Sequence, residues 1–128
     1  MNADLGAAKY ISVTTYRRTG AAVPTPVWPV AVDGRLFVST GSRTGKVKRI
    51  RNNPDVAVAV CDSRGRSTGE PYKGVARIIP VDQRPDVEAA LVRKYGLQKR
   101  MINLVDRLRG DDTKKFGKRL LLELILED

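Results

Sequence analysis

The stretch LFVSTGSRTGKVKRIRNNP, residues 36–54, combines a strand, a glycine-containing turn and a short basic helix. Its apolar start predicts a strand over 36–40, and the small polar residues that follow predict a turn over 41–45. A helix is expected over 46–53, because Pro54 disfavours helical backbone at the residue before it. This order brings backbone N–H groups and a helix N-terminus together, an arrangement that favours an anion.

Five basic side chains accompany this turn and helix, and their spacing separates them from the apolar positions. Val47 and Ile50 are three apart, so they share one helical face and are expected to pack inward. The basic residues flank that face; they are Arg43, Lys46, Lys48, Arg49 and Arg51. From composition alone a solvated basic helix is an equal alternative. The strand–turn–helix order favours an anion site.

The charge of the whole chain agrees with an anionic partner. Its 128 residues include 24 Lys and Arg against 14 Asp and Glu, a net charge of +10. This excess indicates nucleic acid, an acidic membrane surface or a highly charged small molecule. The length suits a single domain over 1–128. No segment approaches the roughly 20 apolar residues of a transmembrane span, and the first residues lack the layout of a secretory signal.

The residue types also limit the chemistry. The sequence contains no histidine, which excludes histidine-based triads and histidine-containing metal sites. Cys61 lies in an apolar stretch, so it is interpreted as structural, and a lone cysteine is compatible with a cytoplasmic location. The acidic pairs at 111–112 and 127–128 are interpreted as solvated. No catalytic residue and no metal site is therefore predicted, and any redox chemistry would come from a bound cofactor.

Segments on either side of the basic helix predict further strands. Alternation predicts strands over 10–15 and 72–81, and apolar residues on both faces predict a central buried strand over 56–61. The segment 21–32 is expected as one strand whose three prolines place it at a sheet edge, or bulged beside a ligand. The segment 118–127 is compatible with a strand or a helix, and the alternation of its leucines favours a closing strand.

Between the last two strands the apolar period changes from two to about 3.6, which predicts helices. Asp82 is expected to cap a first helix that ends at Gly96, and a second helix is expected over 98–109. The apolar face of the first helix comprises Val87, Ala90, Leu91 and Tyr95. Together, these segments predict a mainly β fold of about six antiparallel strands, with a short helix after the third strand and a helical insert before the last. We expect a small β-barrel.

The only tryptophan, Trp28, lies among the prolines of segment 21–32. A tryptophan in such a strand is more often core than part of a cofactor wall. Its neighbouring prolines, however, leave backbone carbonyls without cross-strand donors, and a planar heterocycle could use them. Both interpretations stay open on the residues alone.

Three segments in order resemble the flavin/deazaflavin oxidoreductase family: YISVTTYRRTG (10–20), TPVWPV (25–30) and LFVSTGSRTGKVKRIRNNPDVAVAVCDSRGRSTG (36–69). That family is the split β-barrel group related to pyridoxamine 5′-phosphate oxidase, and the resemblance is closest to the branch that uses the deazaflavin coenzyme F420. It covers residues 9–80, whereas the C-terminal third matches only in general pattern. It implies an FMN-binding-like split β-barrel.

The resemblance implies a cofactor site with three groups of residues. The residues expected along the tricyclic ring are Pro24, Thr25, Pro26, Val27 and Trp28. Those expected at the ribityl chain and the phosphate are Ser39, Thr40, Gly45 and Lys46. Lys48 and Arg49 are expected to reach the phosphate or the oligoglutamate tail. Thr68 is expected from the second subunit of a homodimer with its cofactor sites at the subunit interface.

The implied activity is hydride transfer between the deazaflavin and an electron-poor small molecule, such as an alkene, an imine or a quinone-like acceptor. Pyridoxamine phosphate oxidases carry an arginine next to the phosphate lysine, where this chain has Gly45. The resemblance thus argues against tight FMN binding of their kind, and FMN is the alternative cofactor.

Two other functions compete with this one. A non-catalytic flavin- or deazaflavin-binding protein could use the same barrel, and a haem-binding one is disfavoured because the chain has no histidine. A nucleic-acid-binding module is suggested by the pI of about 10.2, but aromatic residues make up only 5% of the chain and do not alternate with basic ones. The basic residues of the predicted C-terminal helices are interpreted as a solvated face, with a membrane or nucleic-acid contact as the alternative; they are Arg93, Lys94, Lys99 and Arg100.

Overall fold

The computed structural model describes residues 2–96 and 118–127. The elements in chain order are helix α1 (Asn2–Ala7), strands β1 (Tyr10–Tyr16), β2 (Ala22–Val27), β3 (Pro29–Val32) and β4 (Arg35–Gly41), helix α2 (Gly45–Asn52), strands β5 (Asp55–Cys61) and β6 (Tyr72–Pro80), a 3-10 turn (Val81–Gln83), helix α3 (85–96) and strand β7 (Arg119–Leu126). The helix predicted over 98–109 lies outside the described residues. Within the described ranges no helix is long and apolar enough to cross a membrane.

The strands of the described residues form one antiparallel sheet of seven, in the order β2-β1-β5-β6-β7-β4-β3. The two edge strands, β2 and β3, follow each other in the chain, and only Trp28 lies between them. Because consecutive Cα atoms are about 3.8 Å apart, the sheet must curl until its two edges meet at this residue. The chain itself, and not a complete hydrogen-bond ladder, closes the barrel. The predicted mainly β barrel is confirmed.

The prediction of one strand over 21–32, and hence of about six strands, is wrong in number. The structure has two strands there, because the chain leaves one edge of the sheet at Val27 and enters the opposite edge at Pro29. Alternation and proline spacing do not show such a crossing, since both pieces are extended. The edge position that the three prolines predict is confirmed for both strands.

The two faces of the sheet bury different apolar clusters. The cluster inside the barrel comprises Leu5, Ile11, Val13, Val27, Leu36, Val38, Ile50, Val56, Val58, Ala76, Leu122 and Leu124. The cluster between the sheet and α3 comprises Val30, Phe37, Ile79, Val87, Ala90, Leu91, Tyr95 and Leu121. Neighbouring residues such as Leu36 and Phe37 belong to opposite clusters, as the period of two along a strand requires.

Helix α3 presents the apolar face that its sequence predicts, since Val87, Leu91 and Tyr95 are all buried. The expected cap is wrong, because Asp82 belongs to the 3-10 turn and the helix begins only at residue 85. Proline is favoured at the first helical position, where its missing N–H costs nothing. Pro85 therefore marks the start of the helix better than the acidic residue three positions earlier.

Candidate functional site

The turn between β4 and α2 is organised by the hydroxyl of Thr44. This oxygen accepts a hydrogen bond from the Val47 N–H at 3.4 Å and donates one to the Gly41 carbonyl at 2.9 Å. The hydroxyl of Thr40 lies 3.2 Å from it. Thr44 is thus the N-cap of α2, so the helix begins at Gly45, one residue earlier than predicted. The first N–H groups of a helix have no acceptor within it and face outward from its end.

The start of β7 fixes the other side of this turn. The Ser42 N–H donates to the Lys118 carbonyl at 2.8 Å, and the Lys118 N–H donates to the Ser42 hydroxyl at 2.9 Å. This pair continues the β4–β7 ladder, in which Gly41 lies opposite Arg119, into the turn. The turn is therefore held from both ends before α2 starts.

Arg49 folds back towards the N-terminus of its own helix. Its Nε donates to the Thr15 hydroxyl on β1 at 2.6 Å. Its Nη1 lies 2.6 Å from the position that a Cβ on Gly45 would occupy, so glycine provides the space for the guanidinium. A cation at a helix N-terminus opposes the helix dipole. Thr15 and Gly45 therefore hold positive charge where the helix alone would disfavour it.

Lys46 adds a second cation beside Arg49. Burial, and after it the charge of Arg49, lowers the pKa of Lys46 below the ordinary lysine value. Within the described residues neither cation forms an ion pair with a carboxylate. Two like charges and the positive end of a helix thus converge without an acidic partner. An external anion would relieve all three unfavourable interactions.

We expect anion binding here to weaken as the pH rises through the lowered pKa of Lys46, because the neutral amine loses its attraction for an anion. Pyrophosphate titrations between about pH 7 and pH 10 would measure this. In Lys46→Arg the guanidinium keeps its charge, so the decline should disappear; an equal decline in that variant would contradict the prediction. The folded chain holds this proton less tightly than the unfolded chain, so the free energy of unfolding rises over the same interval. A loss of anion binding at high pH would therefore not result from unfolding of the protein.

Arg49 also places α2 next to the proline-containing edge strand. Thr15, which accepts its hydrogen bond, lies opposite Val23 of β2. Thr25 is two residues farther along that strand, about 7 Å from Val23. The structure therefore places the basic end of α2 one strand away from the first of the predicted ring residues. Five of the residues predicted for the cofactor site lie in this region: Gly45, Lys46 and Arg49 on α2, and Pro24 and Thr25 on β2.

The remaining residues of this edge lie farther from α2. Pro26 is exposed and lies near Gly65 in the loop over 62–69, because a Cβ added to Gly65 would be 3.5 Å from its Cδ. Thr68 belongs to that loop and directs its N–H to the carbonyl of Val60 at 2.9 Å. Lys48 is exposed on α2. No hydrogen bond of the described residues joins Thr68 or the Lys48 side chain to the basic end of α2, and their roles stay predictions.

Ser39 and Thr40 face opposite sides of the sheet, because they are consecutive in β4. Only Thr40 joins the α2 turn. Ser39 accepts a hydrogen bond at 3.1 Å from Arg119, whose guanidinium also pairs with both carboxylate oxygens of Glu88 on α3, at 2.7 and 2.8 Å. Sequence reasoning missed Arg119 and Glu88, since they lie 31 residues apart with no motif between them.

Trp28 lies on the α3 side as well. Its ring stacks on that of Tyr95, with centroids 4.7 Å apart and planes inclined by 11°. The side chain is half-buried against the outer apolar cluster. The preceding residue, Val27, is buried inside the barrel opposite Ile11. One face of the indole is therefore part of the protein core, which agrees with the interpretation of Trp28 as a core residue.

The fold and these contacts define a small split β-barrel with a basic site at the N-terminus of its short helix. A family model described as pyridoxamine 5′-phosphate oxidase matches residues 1–125, and the chain belongs to this family. The broader part of the resemblance is thereby confirmed. No curated protein matches the sequence.

Solved structures of several proteins share the fold at low sequence identity. A conserved hypothetical protein, Rv2991 from Mycobacterium tuberculosis, is 20% identical with a TM-score of 0.70, over 98% of this chain and 78% of that one. A protein described as an F420 reductase is 18% identical with a TM-score of 0.66, over 98% and 92%. The haem storage protein HutZ from Vibrio cholerae is 15% identical with a TM-score of 0.67, over 95% and 84%. At these identities the likeness shows the fold.

Proposed function

We propose that the chain is a single split-barrel domain that works as a coenzyme F420-dependent oxidoreductase. The observation that carries the proposal is the cluster of Lys46 and Arg49, which has no carboxylate partner among the described residues and is bound to β1, the neighbour of the proline-containing edge strand. Coenzyme F420 joins a tricyclic ring to a phosphate and several glutamate carboxylates. Its negative charge therefore complements the positive charge of the cluster. Its ring would lie along the extended strand β2, near that cluster.

The residues present fit such a cofactor. Lys46, Arg49 and the N–H groups at Gly45 would hold the phosphate through charge-assisted hydrogen bonds. Thr25 and its exposed neighbours Pro24 and Pro26 would lie along the ring. When bound, the deazaflavin would supply or accept the hydride exchanged with an electron-poor small molecule. The protein would contribute the orientation of the two reactants, which accounts for a large part of many enzymatic rate enhancements.

FMN is the alternative cofactor, and Arg49 bears on the choice. The absence of an arginine at position 45 argues against FMN, but Arg49 brings a guanidinium back to Gly45 from the next helical turn. A phosphate alone would be well bound by this arrangement. Discrimination in favour of F420 must then come from its glutamate tail. The exposed Lys48 and Arg51 are the cations of α2 that remain for it.

Equilibrium binding of F420 and FMN to the purified protein tests the proposal. We expect a Kd for F420 of about 1 μM or below, a weaker one for FMN, and a loss of about tenfold or more for F420 in Lys46→Ala. Arg93→Ala removes a positive charge from an exposed position on α3 and should leave the affinity for F420 unchanged. Absence of binding of both cofactors would refute the function. Tight binding of F420 without turnover of any acceptor would favour a storage protein.

We also propose a cytoplasmic homodimer whose cofactor sites lie at the subunit interface, with Thr68 contributed by the partner. Val75 and Ile125 support the dimer, since these cross-strand neighbours on β6 and β7 are 40% and 47% exposed. Paired apolar side chains on a sheet face are typical of surfaces that another protein covers. The free, buried thiol of Cys61 is compatible with the reducing cytoplasm.

A further inference from the structure

Lys94, on α3, is directed into the protein and not towards solvent. Its Nζ donates to three backbone carbonyls, those of Gly6 at 2.5 Å, Ala8 at 2.6 Å and Pro29 at 2.7 Å. The expectation of a solvated or nucleic-acid-binding lysine at this position is therefore wrong. A half-buried ammonium needs such acceptors, because burial without hydrogen bonds is costly. The contacts tie the C-terminal end of α1 to the first residue of β3.

Tyr95, the next residue, holds the same point of the chain. Its hydroxyl lies 2.6 Å from the Pro29 carbonyl and 3.1 Å from that of Lys9. Its ring stacks on Trp28, the single residue between the two edge strands. Tyr95 therefore fixes the side chain of residue 28 and the backbone of residue 29 together. We call Lys94 and Tyr95 the α3 clasp.

The clasp acts at one end of the proposed cofactor site only. Its contacts reach Trp28 and Pro29, at the end of the strand expected along the ring. The basic cluster at α2 is held independently, by Thr15 and by the Thr44 cap. A change in the clasp should thus disturb the ring end and spare the phosphate end.

We propose that Tyr95 and Lys94 are positioning residues that set Trp28 for the tricyclic ring, so that α3 controls affinity for the ring and not for the phosphate. This inference rests on the proposed function. It assigns a ligand-related role to α3. The stacked ring and the two bonds to one carbonyl are the contacts that carry it.

The single tryptophan gives a direct measurement in the free protein. Acrylamide quenching of its fluorescence should increase about twofold in Tyr95→Leu, because the indole loses the ring that covers one face. Lys94→Met should change it in the same direction, since the backbone at Pro29 loses a donor. Tyr95→Phe keeps the stacked ring but removes the hydroxyl that also donates to Pro29, so its quenching should lie between those of the wild type and Tyr95→Leu. Arg93→Met removes a charge from the exposed neighbouring position and serves as the matched control.

Binding then separates positioning from general stability. Two ligands are compared: F420, and the same deazaflavin without its phosphate and glutamate tail. Tyr95→Leu should weaken both by the same factor, about fivefold to tenfold. Lys46→Ala should weaken only intact F420. If Tyr95→Leu does not fold, the affinities for the two deazaflavins are compared in Lys94→Met, which keeps the aliphatic part of the lysine side chain.

Three results would overturn the inference. The first is unchanged tryptophan quenching in folded Tyr95→Leu and Lys94→Met. The second is increased quenching with unchanged affinity for both deazaflavins, which would reduce the clasp to a structural contact. The third is a loss confined to intact F420. If the wild-type protein binds no deazaflavin at all, the proposed function fails, and this inference fails with it; that result is visible before any variant is made.

Discussion

Replacement of Gly45 with glutamate is expected to lower the affinity for F420 about a hundredfold while leaving the protein slightly more stable. The new side chain would occupy the space that the Arg49 guanidinium now fills, 2.6 Å from the Cβ position. It would also pair with Arg49 four residues later and repel the phosphate. An acidic residue in the first turn favours the helix dipole, worth about 0.5 kcal/mol in the free energy of unfolding.

The measurements are cofactor titration and denaturant unfolding of the same preparations. Gly45→Gln is the matched control, since it displaces Arg49 without adding charge and should cost only about tenfold in affinity. Opposite signs for binding and stability would show that the positive charge at this helix end serves a ligand and not the fold. Undiminished affinity in Gly45→Glu would refute the position of the anion.

Replacement of Gly74 with alanine is expected to lower the free energy of unfolding by about 3 kcal/mol, and the Tm by on the order of 10 °C. A Cβ on Gly74 would clash with the carbonyl oxygen of Ile125 and would lie 2.8 Å from Cα of Leu126. Both are backbone atoms of β7, so only separation of β6 from β7 could relieve the clash. Glycine inside a strand marks such a close approach.

Thermal and urea unfolding would measure this loss. Gly69→Ala is the control, because its Cβ would meet Val60 Cβ at an ordinary 3.4 Å, and we expect a change of less than about 0.5 kcal/mol. Equal stability of Gly74→Ala and the wild type would show that β6 and β7 are less closely paired than described. Because Lys118, the residue before β7, holds Ser42, binding should weaken together with stability in Gly74→Ala.

The order of elements was predictable because local signals and packing agree in this chain. The three-residue spacing of Val47 and Ile50 predicts the buried side of α2, and both residues are buried. The continuous apolar run of β5 and the apolar alternation of β7 predict strands, and both form. The division at Trp28 was not predictable, because it depends on where two sheet edges meet and not on any local preference.

The candidate site was predictable in composition and not in geometry. The basic residues and the turn are visible in the sequence, and Thr44 could have been recognised as a cap from its place before the helix. The bond from Arg49 to Thr15 spans 34 residues, and the contact of Trp28 with Tyr95 joins an edge of the sheet to α3. Neither follows from spacing, because each depends on how the sheet curls.

The structure also narrows the choice between a small anion and nucleic acid. Of the basic residues assigned to the C-terminal helices, Lys94 is used inside the protein, while Arg93 is exposed. Trp28 stacks on Tyr95, so one face of its ring is not available to a base. Lys46 and Arg49, which lack a carboxylate partner among the described residues, are close together, and this suits a compact polyanion better than an extended backbone.

The meeting of the two sheet edges at one residue has a consequence for aggregation. An incompletely closed barrel exposes N–H and C=O groups along both edges, and a strand of another molecule could extend the sheet there. Pro24, Pro26 and Pro29 lie on these edges, in β2 and β3, and have no N–H to offer an incoming strand. The prolines that we propose for the border of a flat ligand therefore also protect the molecule from strand addition by its neighbours in a concentrated cell.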